Sequence, residues 1–300
     1  MKRKLLNYNL LTAGTILTLI GSNPMTSYVY ATEITTSEQS TSETTISEED
    51  IDAYFEDCVF VGDSIMLGFR NYSMKQKDSF LNKIQFLAAG NFSARNALWD
   101  VTEKSVHPVY QGKKRQIWES ISMMEAKKVF LFFGMNDLNL SGLEGTCENY
   151  AKVIHHIKEL NPEIEIHIIS MTYTVKGADT GLLNNTTIRE FNTMLQNMAA
   201  ENGWGYMDLA TPLSDENGDL ASIYCSDEYV HHSKEAYQVW TTVIRNYAKS
   251  QISSLTNHSV DAPITETKTE MTILNTLLLN PTDEIRLTAG FSADLNTITK

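Results

Sequence analysis

Four short patches of this chain hold residue types whose chemistry and placement could act together. Ser64 follows Gly62-Asp63 at the point where an apolar run gives way to a helical pattern. A hydroxyl there projects from a strand-to-helix turn, and its own amide lies at a helix start, where developing negative charge is favoured. Gly90 ends a second apolar run, and a glycine lets its backbone N–H come close to a ligand. Asn136, in Gly134-Met135-Asn136-Asp137, brings a side-chain amide donor to the end of a third run. His231 precedes the last helical segment and has Asp227 and Glu228 just upstream. The set holds a nucleophile (Ser64), a base (His231) and an acid to orient the base. Its three oxyanion donors are the amides of Ser64 and Gly90 and the side chain of Asn136.

Taken singly, each patch has an ordinary reading. Gly-Asp-Ser also serves as an N-cap turn, Gly-Met-Asn-Asp as a plain turn, and a lone histidine as a surface residue. Their common placement gives them weight. Short apolar runs at Cys58–Val61, Ile84–Ala88, Val129–Phe133, Ile164–Ile169 and Trp204–Met207 read as strands. Helical patterns are expected from Ser64 to about Asn71, Ser93 to about Val101, and Arg115 to Glu125. Others run over Cys147–Leu160, Thr187–Asn202 and Ser233 to about Ser250. Strands alternating with helices imply βαβ units, and continuous apolar strands imply a sheet covered on both faces. The expected fold is α/β: a three-layer α/β/α sandwich around a central, mainly parallel sheet. Ligands of such sheets bind outside the carboxyl ends of the strands, where the four patches lie.

At these residues the sequence resembles the SGNH hydrolase superfamily, the GDSL-type esterases, lipases and acylhydrolases. Val59-Phe60-Val61-Gly62-Asp63-Ser64-Ile65 matches the first block, with Ile65 in place of the leucine. Gly90 matches the second-block glycine, Gly134-Met135-Asn136-Asp137 the third block, and the stretch around His231 the fifth. The resemblance spans about Tyr54 to Ile252. It implies an SGNH/flavodoxin-like sheet, no cofactor, no metal, and hydrolysis of an ester through Ser64 and His231. The family places its acid three residues before the histidine, a position held here by Glu228. Asp227 lies one residue further back. Asp227 is the favoured acid, because a loop absorbs one extra residue easily and the shorter side chain holds the ring more rigidly; Glu228 is the alternative.

The ends read differently. Lys2, Arg3 and Lys4, the apolar stretch from Leu10 to Ile20, and Val29-Tyr30-Ala31 read as a signal peptide over 1–31. Secretion, or association with the cell envelope, without a lasting membrane anchor is therefore expected. Ten of the nineteen residues from Thr32 to Asp50 are Ser or Thr and six are acidic, so 32–53 reads as a disordered spacer. Residues 54–252 form the catalytic domain, and 253–300 a tail of unassigned role. Of the chain's net charge of −13, 54–252 carries only −6, from 24 acidic and 18 basic residues. This balance gives no footing for a polyphosphate backbone. Three scattered cysteines make no disulfide framework, although a Cys147–Cys225 bridge is conceivable in an exported protein. Cys58 reads as a buried apolar residue. Asp63 and Asp137 read as loop-fixing carboxylates, and His155-His156 as a poor metal pair, since adjacent helical positions diverge by about 100°. His107 reads as loop, His167 as packed in a strand, and Lys113-Lys114-Arg115 as a helix-start surface. The expected partner is a small ester or acylated carbohydrate. The leading expectation is a secreted short-acyl esterase. An O-acetyltransferase or deacetylase of envelope polysaccharide is the second reading, and a non-catalytic binding protein on the same fold the third.

Overall fold

The five apolar runs become the strands of one parallel sheet. A computed structural model describes residues 45–77 and 79–260. The expected leader, the first part of the spacer (32–44) and the tail from 261 onward lie outside the described residues. In chain order the elements are α1 (Glu48–Phe55), β1 (Cys58–Gly62), α2 (Ser64–Ser73), β2 (Gln85–Ala88), α3 (Ala94–Ala97), β3 (Val109–Tyr110), β4 (Lys113–Lys114) and α4 (Ile117–Met123). They continue with β5 (Lys128–Phe132), α5 (Leu138–Leu160), β6 (Glu165–Ile169), α6 (Asn185–Asn202), β7 (Gly205–Met207) and α7 (Lys234–Val260). The main sheet has the order β2-β1-β5-β6-β7, every pair parallel. β3 and β4 form a separate antiparallel hairpin.

Helices α1, α2 and α7 pack together over one face, and α3, α4, α5 and α6 associate on the other. All five residues of β1 are buried, as a strand sandwiched between two helical layers requires. Phe60 stacks on Phe130, and Phe69 of α2 and Trp240 of α7 close over that face. On the opposite side the Tyr150 hydroxyl of α5 donates to the Leu131 carbonyl at 2.7 Å.

The structure moves both expected domain boundaries. Residues 48–53 are not spacer: they form most of α1. Ser47 and Asp50 make a capping box, and Glu48, Glu49 and Asp50 fill the first turn, where the helix dipole favours negative charge. Ile51, Tyr54 and Phe55 are buried, and Glu48 pairs with Arg245 of α7. At the other end, α7 runs to Val260, past both its expected stop near Ser250 and the boundary at 252. Three internal elements differ as well. α3 has four residues rather than nine, because the Leu98 and Trp99 amides turn to carbonyls three residues back and end it. α5 begins at Leu138, with a break at Gly142 (φ 69°). Lys113 and Lys114 lie in β4 rather than at a helix start, behind a turn in which Gln111 and Gly112 both have positive φ.

Candidate active site

The register of the sheet assembles the site. Gly62 pairs with Ala88 on one side and Phe132 on the other, so β1, β2 and β5 end level and their following residues meet above the sheet. Asp63 caps α2, its carboxylate accepting from Ile65 N at 2.8 Å. Ser64, the first residue of that helix, keeps an amide with no intrahelical partner. The Ala89 amide donates to the Gly62 carbonyl at 3.2 Å, which holds Gly90 beside the end of β1. A Cβ at Gly62 would lie 2.8 Å from Met66 Cβ and 2.9 Å from the Phe132 carbonyl oxygen, so this turn admits only glycine.

Asp137 ties the second and third patches together. Its carboxylate accepts from Arg95 N at 2.9 Å and from Ala94 N and Gly134 N at 3.2 Å each. Burial pushes this carboxyl upward, against the pull of those three amides. Asn136 Nδ2 donates to the Phe92 carbonyl at 3.2 Å and to Asp63 Oδ2 at 3.4 Å. Burial also pushes Asp63 up to about 7, against the amides of Ile65 and Met66. Both aspartates therefore build loops, as their sequence positions suggest.

His231 Nε2 lies 3.0 Å from Ser64 Oγ, across 167 residues of sequence. Its Nδ1 is hydrogen-bonded to Asp227 Oδ2. The other oxygen, Asp227 Oδ1, accepts from the amides of Tyr229 (3.0 Å), Val230 (3.0 Å) and His231 (3.1 Å). Partial burial works against its charge. Hydrogen bonds from His231 and from the Tyr229 and His231 amides outweigh it and hold Asp227 well below the usual carboxylate range. Glu228 absorbs the extra loop residue by adopting φ 61°. It is exposed, with no hydrogen bond to His231 among the described residues. The loop is closed by Ser226 N donating to the His231 carbonyl at 2.8 Å and Ser233 N to the Tyr224 carbonyl at 2.9 Å.

His232, next in sequence, has a different task. It is buried, and Trp240 Nε1 donates to its Nδ1 at 3.0 Å. Burial, helped by the neighbouring His231, pushes its imidazole down to about 3, so it is a neutral packing residue at neutral pH. The Tyr237 hydroxyl donates to the Ile65 carbonyl at 3.0 Å and crosses α2 at Gly68, where a Cβ would lie 2.0 Å from that hydroxyl. Gly68 and Tyr237 thus lock the helix carrying Ser64 to the helix that follows His231. No spacing in the sequence marks that pair.

Of the remaining candidates, Cys225 alone touches this cluster among the described residues. Cys58, Cys147 and Cys225 are all free thiols, so the conceivable Cys147–Cys225 bridge is absent. Burial pushes Cys58 up to about 12. Cys225, two residues before Asp227 in sequence, has its Sγ 3.3 Å from Asp227 Oδ1. His155 and His156 both face Glu159 on the exposed side of α5, and His167 is packed against Phe130. Among the described residues, no three His, Cys, Asp or Glu side chains converge as a metal site, and no helix is long and apolar enough to cross a membrane.

The profile of the GDSL-like Lipase/Acylhydrolase family matches residues 60–239, more than half of the 300-residue chain. The chain belongs to the GDSL-like lipase/acylhydrolase family. As such an acylhydrolase, it is an enzyme acting on ester bonds. A comparison with curated proteins finds no match. Among solved structures, this acylhydrolase is similar to a GDSL-like lipase from Bacteroides thetaiotaomicron, at 16% identity and a TM-score of 0.48. That match covers 66% of this chain and 90% of the other. It is also similar to the lipase/acylhydrolase from Enterococcus faecalis (17% identity, TM-score 0.46, covering 65% and 96%). A third is Axe2, an acetylxylan esterase from Geobacillus stearothermophilus (14% identity, TM-score 0.44, covering 64% and 94%).

Proposed function

We propose that this acylhydrolase is an exported serine esterase that removes short acyl groups, acetyl above all, from a carbohydrate or other small ester. The observation that carries the reading is the continuous relay Ser64–His231–Asp227. An ionised Asp227 fixes the Nδ1–H tautomer, which leaves the Nε2 lone pair facing the Ser64 hydroxyl. His231 takes the Ser64 proton as Oγ attacks the ester carbonyl. The oxyanion draws on the Ser64 and Gly90 amides and on Asn136, whose 3.4 Å contact to Asp63 is the weaker of its two and the one a developing charge takes over. His231 then gives its proton to the leaving alcohol. Water, giving a proton to His231, attacks the acyl-enzyme, and Ser64 leaves with that proton restored.

Two further features support the details. The His231 side chain is 45% exposed, so water has access to the acyl-enzyme and completes hydrolysis. The cavity beside Gly90 measures 340 Å³ and is lined in part by Arg70, His107 and Lys114. That is the small end of the ligand-pocket range of about 300–1,000 Å³, a size that suits a small substrate group. Export rests on the leader-like residues 1–31.

The test is a p-nitrophenyl ester series and a fluorophosphonate probe, applied to protein lacking residues 1–31. Turnover should be greatest for acetate and fall with chain length, and the probe should label Ser64. If wild type shows neither turnover nor labelling, or if Ser64→Ala matches wild type in both, the serine-esterase reading is wrong.

A further inference from the structure

The cavity beside Gly90 has a charge pattern that the hydrolytic step does not use. It runs along the edge strand β2, with Phe86 and Ala88 on its wall and Gly90 at one end. Its charged lining residues are Arg70 and Lys114, and no carboxylate lines it. That is contrary to a domain in which acidic residues outnumber basic ones. Arg70 Nη2 donates to Asn71 Oδ1 at 3.2 Å, while its Nε is buried with no hydrogen-bond partner. No carboxylate lies within ion-pairing distance of this guanidinium among the described residues. A guanidinium carries five N–H donors, and this one gives a single hydrogen bond to a protein acceptor among the described residues. The Lys114 ammonium is fixed by the Glu103 and Ser105 carbonyls, two acceptors for three N–H groups. His107 is wall rather than ligand, since Nδ1 faces Ser105 Oγ and Nε2 faces Gln116 Oε1.

We propose that this cavity is a subsite for an acidic sugar unit of the substrate, whose carboxylate pairs with Arg70 and is supported by Lys114. Gly90, whose amide is one of the proposed oxyanion donors, lines this cavity together with Arg70, so a group bound there adjoins an ester held at Ser64. The apolar wall of Phe86 and Ala88 offers a surface to the sugar ring. The proposal rests on the serine-esterase reading for the position of the ester, but the anion site itself does not need turnover.

The experiment compares deacetylation of an O-acetylated methyl glucuronoside, the matching methyl glucoside and the matching glucoside 6-phosphate. A charge-assisted hydrogen bond lost at Arg70 corresponds to roughly ten- to a hundredfold. Wild type should prefer the glucuronoside over the glucoside by at least about tenfold in kcat/KM. The preference should collapse toward one in Arg70→Gln and persist in part in Arg70→Lys. An equal ratio in wild type and Arg70→Gln, or a wild-type preference for the neutral sugar, overturns the proposal. A stronger, Arg70-dependent preference for the phosphate overturns the carboxylate assignment. A second arm titrates Ser64→Ala protein with methyl glucuronoside by calorimetry, with and without Arg70→Gln. Binding that depends on Arg70 upholds the subsite even if no ester is turned over, and binding that ignores Arg70 overturns it. Absence of Ser64 labelling by the fluorophosphonate reports separately on the esterase reading.

Discussion

Replacing Asp227 by Asn tests the relay at its most local contact. Oδ1 of Asp227 accepts three backbone amides within the loop. An asparagine there keeps its carbonyl oxygen on those amides, which forces its NH2 group into the position of Oδ2. Two N–H groups cannot face each other, so His231 must present a bare Nδ1 to the new amide. Its proton then sits on Nε2, pointing at Ser64 Oγ across 3.0 Å. The base has lost the lone pair it needs, although no heavy atom has moved. A tautomer error of this kind costs about 10³–10⁴ in kcat, which is about 4–5.5 kcal/mol of barrier. The assay is p-nitrophenyl acetate turnover at pH 8, with fluorophosphonate labelling as a second readout and thermal unfolding as the control for integrity. KM should change little, because no group that contacts substrate is altered. Glu228→Gln, at the exposed position, should stay within about twofold of wild type, the scale of a surface change. A loss smaller than tenfold at Asp227, or a larger loss at Glu228 than at Asp227, would refute the reasoning.

Asn136→Ala should lower kcat by about 10²–10³ through loss of an oxyanion donor; a change below tenfold would remove Asn136 from that role. Gly68→Ala gains about 1 kcal/mol of helix propensity, yet its Cβ collides with the Tyr237 hydroxyl. A lower melting temperature and a lower kcat are both expected, and Tyr237→Phe in the same chain should recover part of each. His232, depressed from 6.5 to about 3 by burial, binds fewer protons folded than unfolded between those values. Its contribution to stability is complete above pH 6.5 and is lost as pH falls toward 3. The melting-temperature gap between wild type and His232→Gln should therefore narrow over that range, and a constant gap would count against it. Adding a chelator should leave esterase activity unchanged; a strong loss would require a metal in the mechanism.

Much of the site was legible because chain geometry and chemistry coincide in it. Phe60-Val61-Gly62-Asp63-Ser64 states a buried strand, a turn that only glycine permits and a helix cap in five letters, and Gly134 to Asp137 marks the turn that follows β5. The choice between Asp227 and Glu228 followed from loop slack, although the positive φ at Glu228 that takes up the slack has no signature in a glutamate. Helix α1 was hidden by its own acidity. Glu48-Glu49-Asp50 continues the composition of the spacer, and the signals that contradict it are local: Ser47 three residues before Asp50, and the spacing of Ile51, Tyr54 and Phe55. Contacts between distant segments left no trace. Neither the crossing of Tyr237 over Gly68 nor the placement of Arg70 and Lys114 on one cavity wall can be read from either residue's neighbours.

Asp227 and His231, the proposed acid and base, lie four residues apart on one closed loop, while Ser64, the proposed nucleophile, is 167 residues from His231. Closing a short loop costs little chain entropy. Bringing Ser64 to it requires β1, β5, β6 and β7 to be ordered in the sheet and α7 to dock on α2, contacts of high sequence separation that form slowly. In time, then, the enzyme is assembled in two stages. An Asp227–His231 pair belongs to the loop as soon as that loop exists, whereas chemical competence arrives only with the last long-range packing. Recovery of activity during refolding should lag the recovery of helical signal, and an early trapped species should be folded in outline yet inert toward the fluorophosphonate.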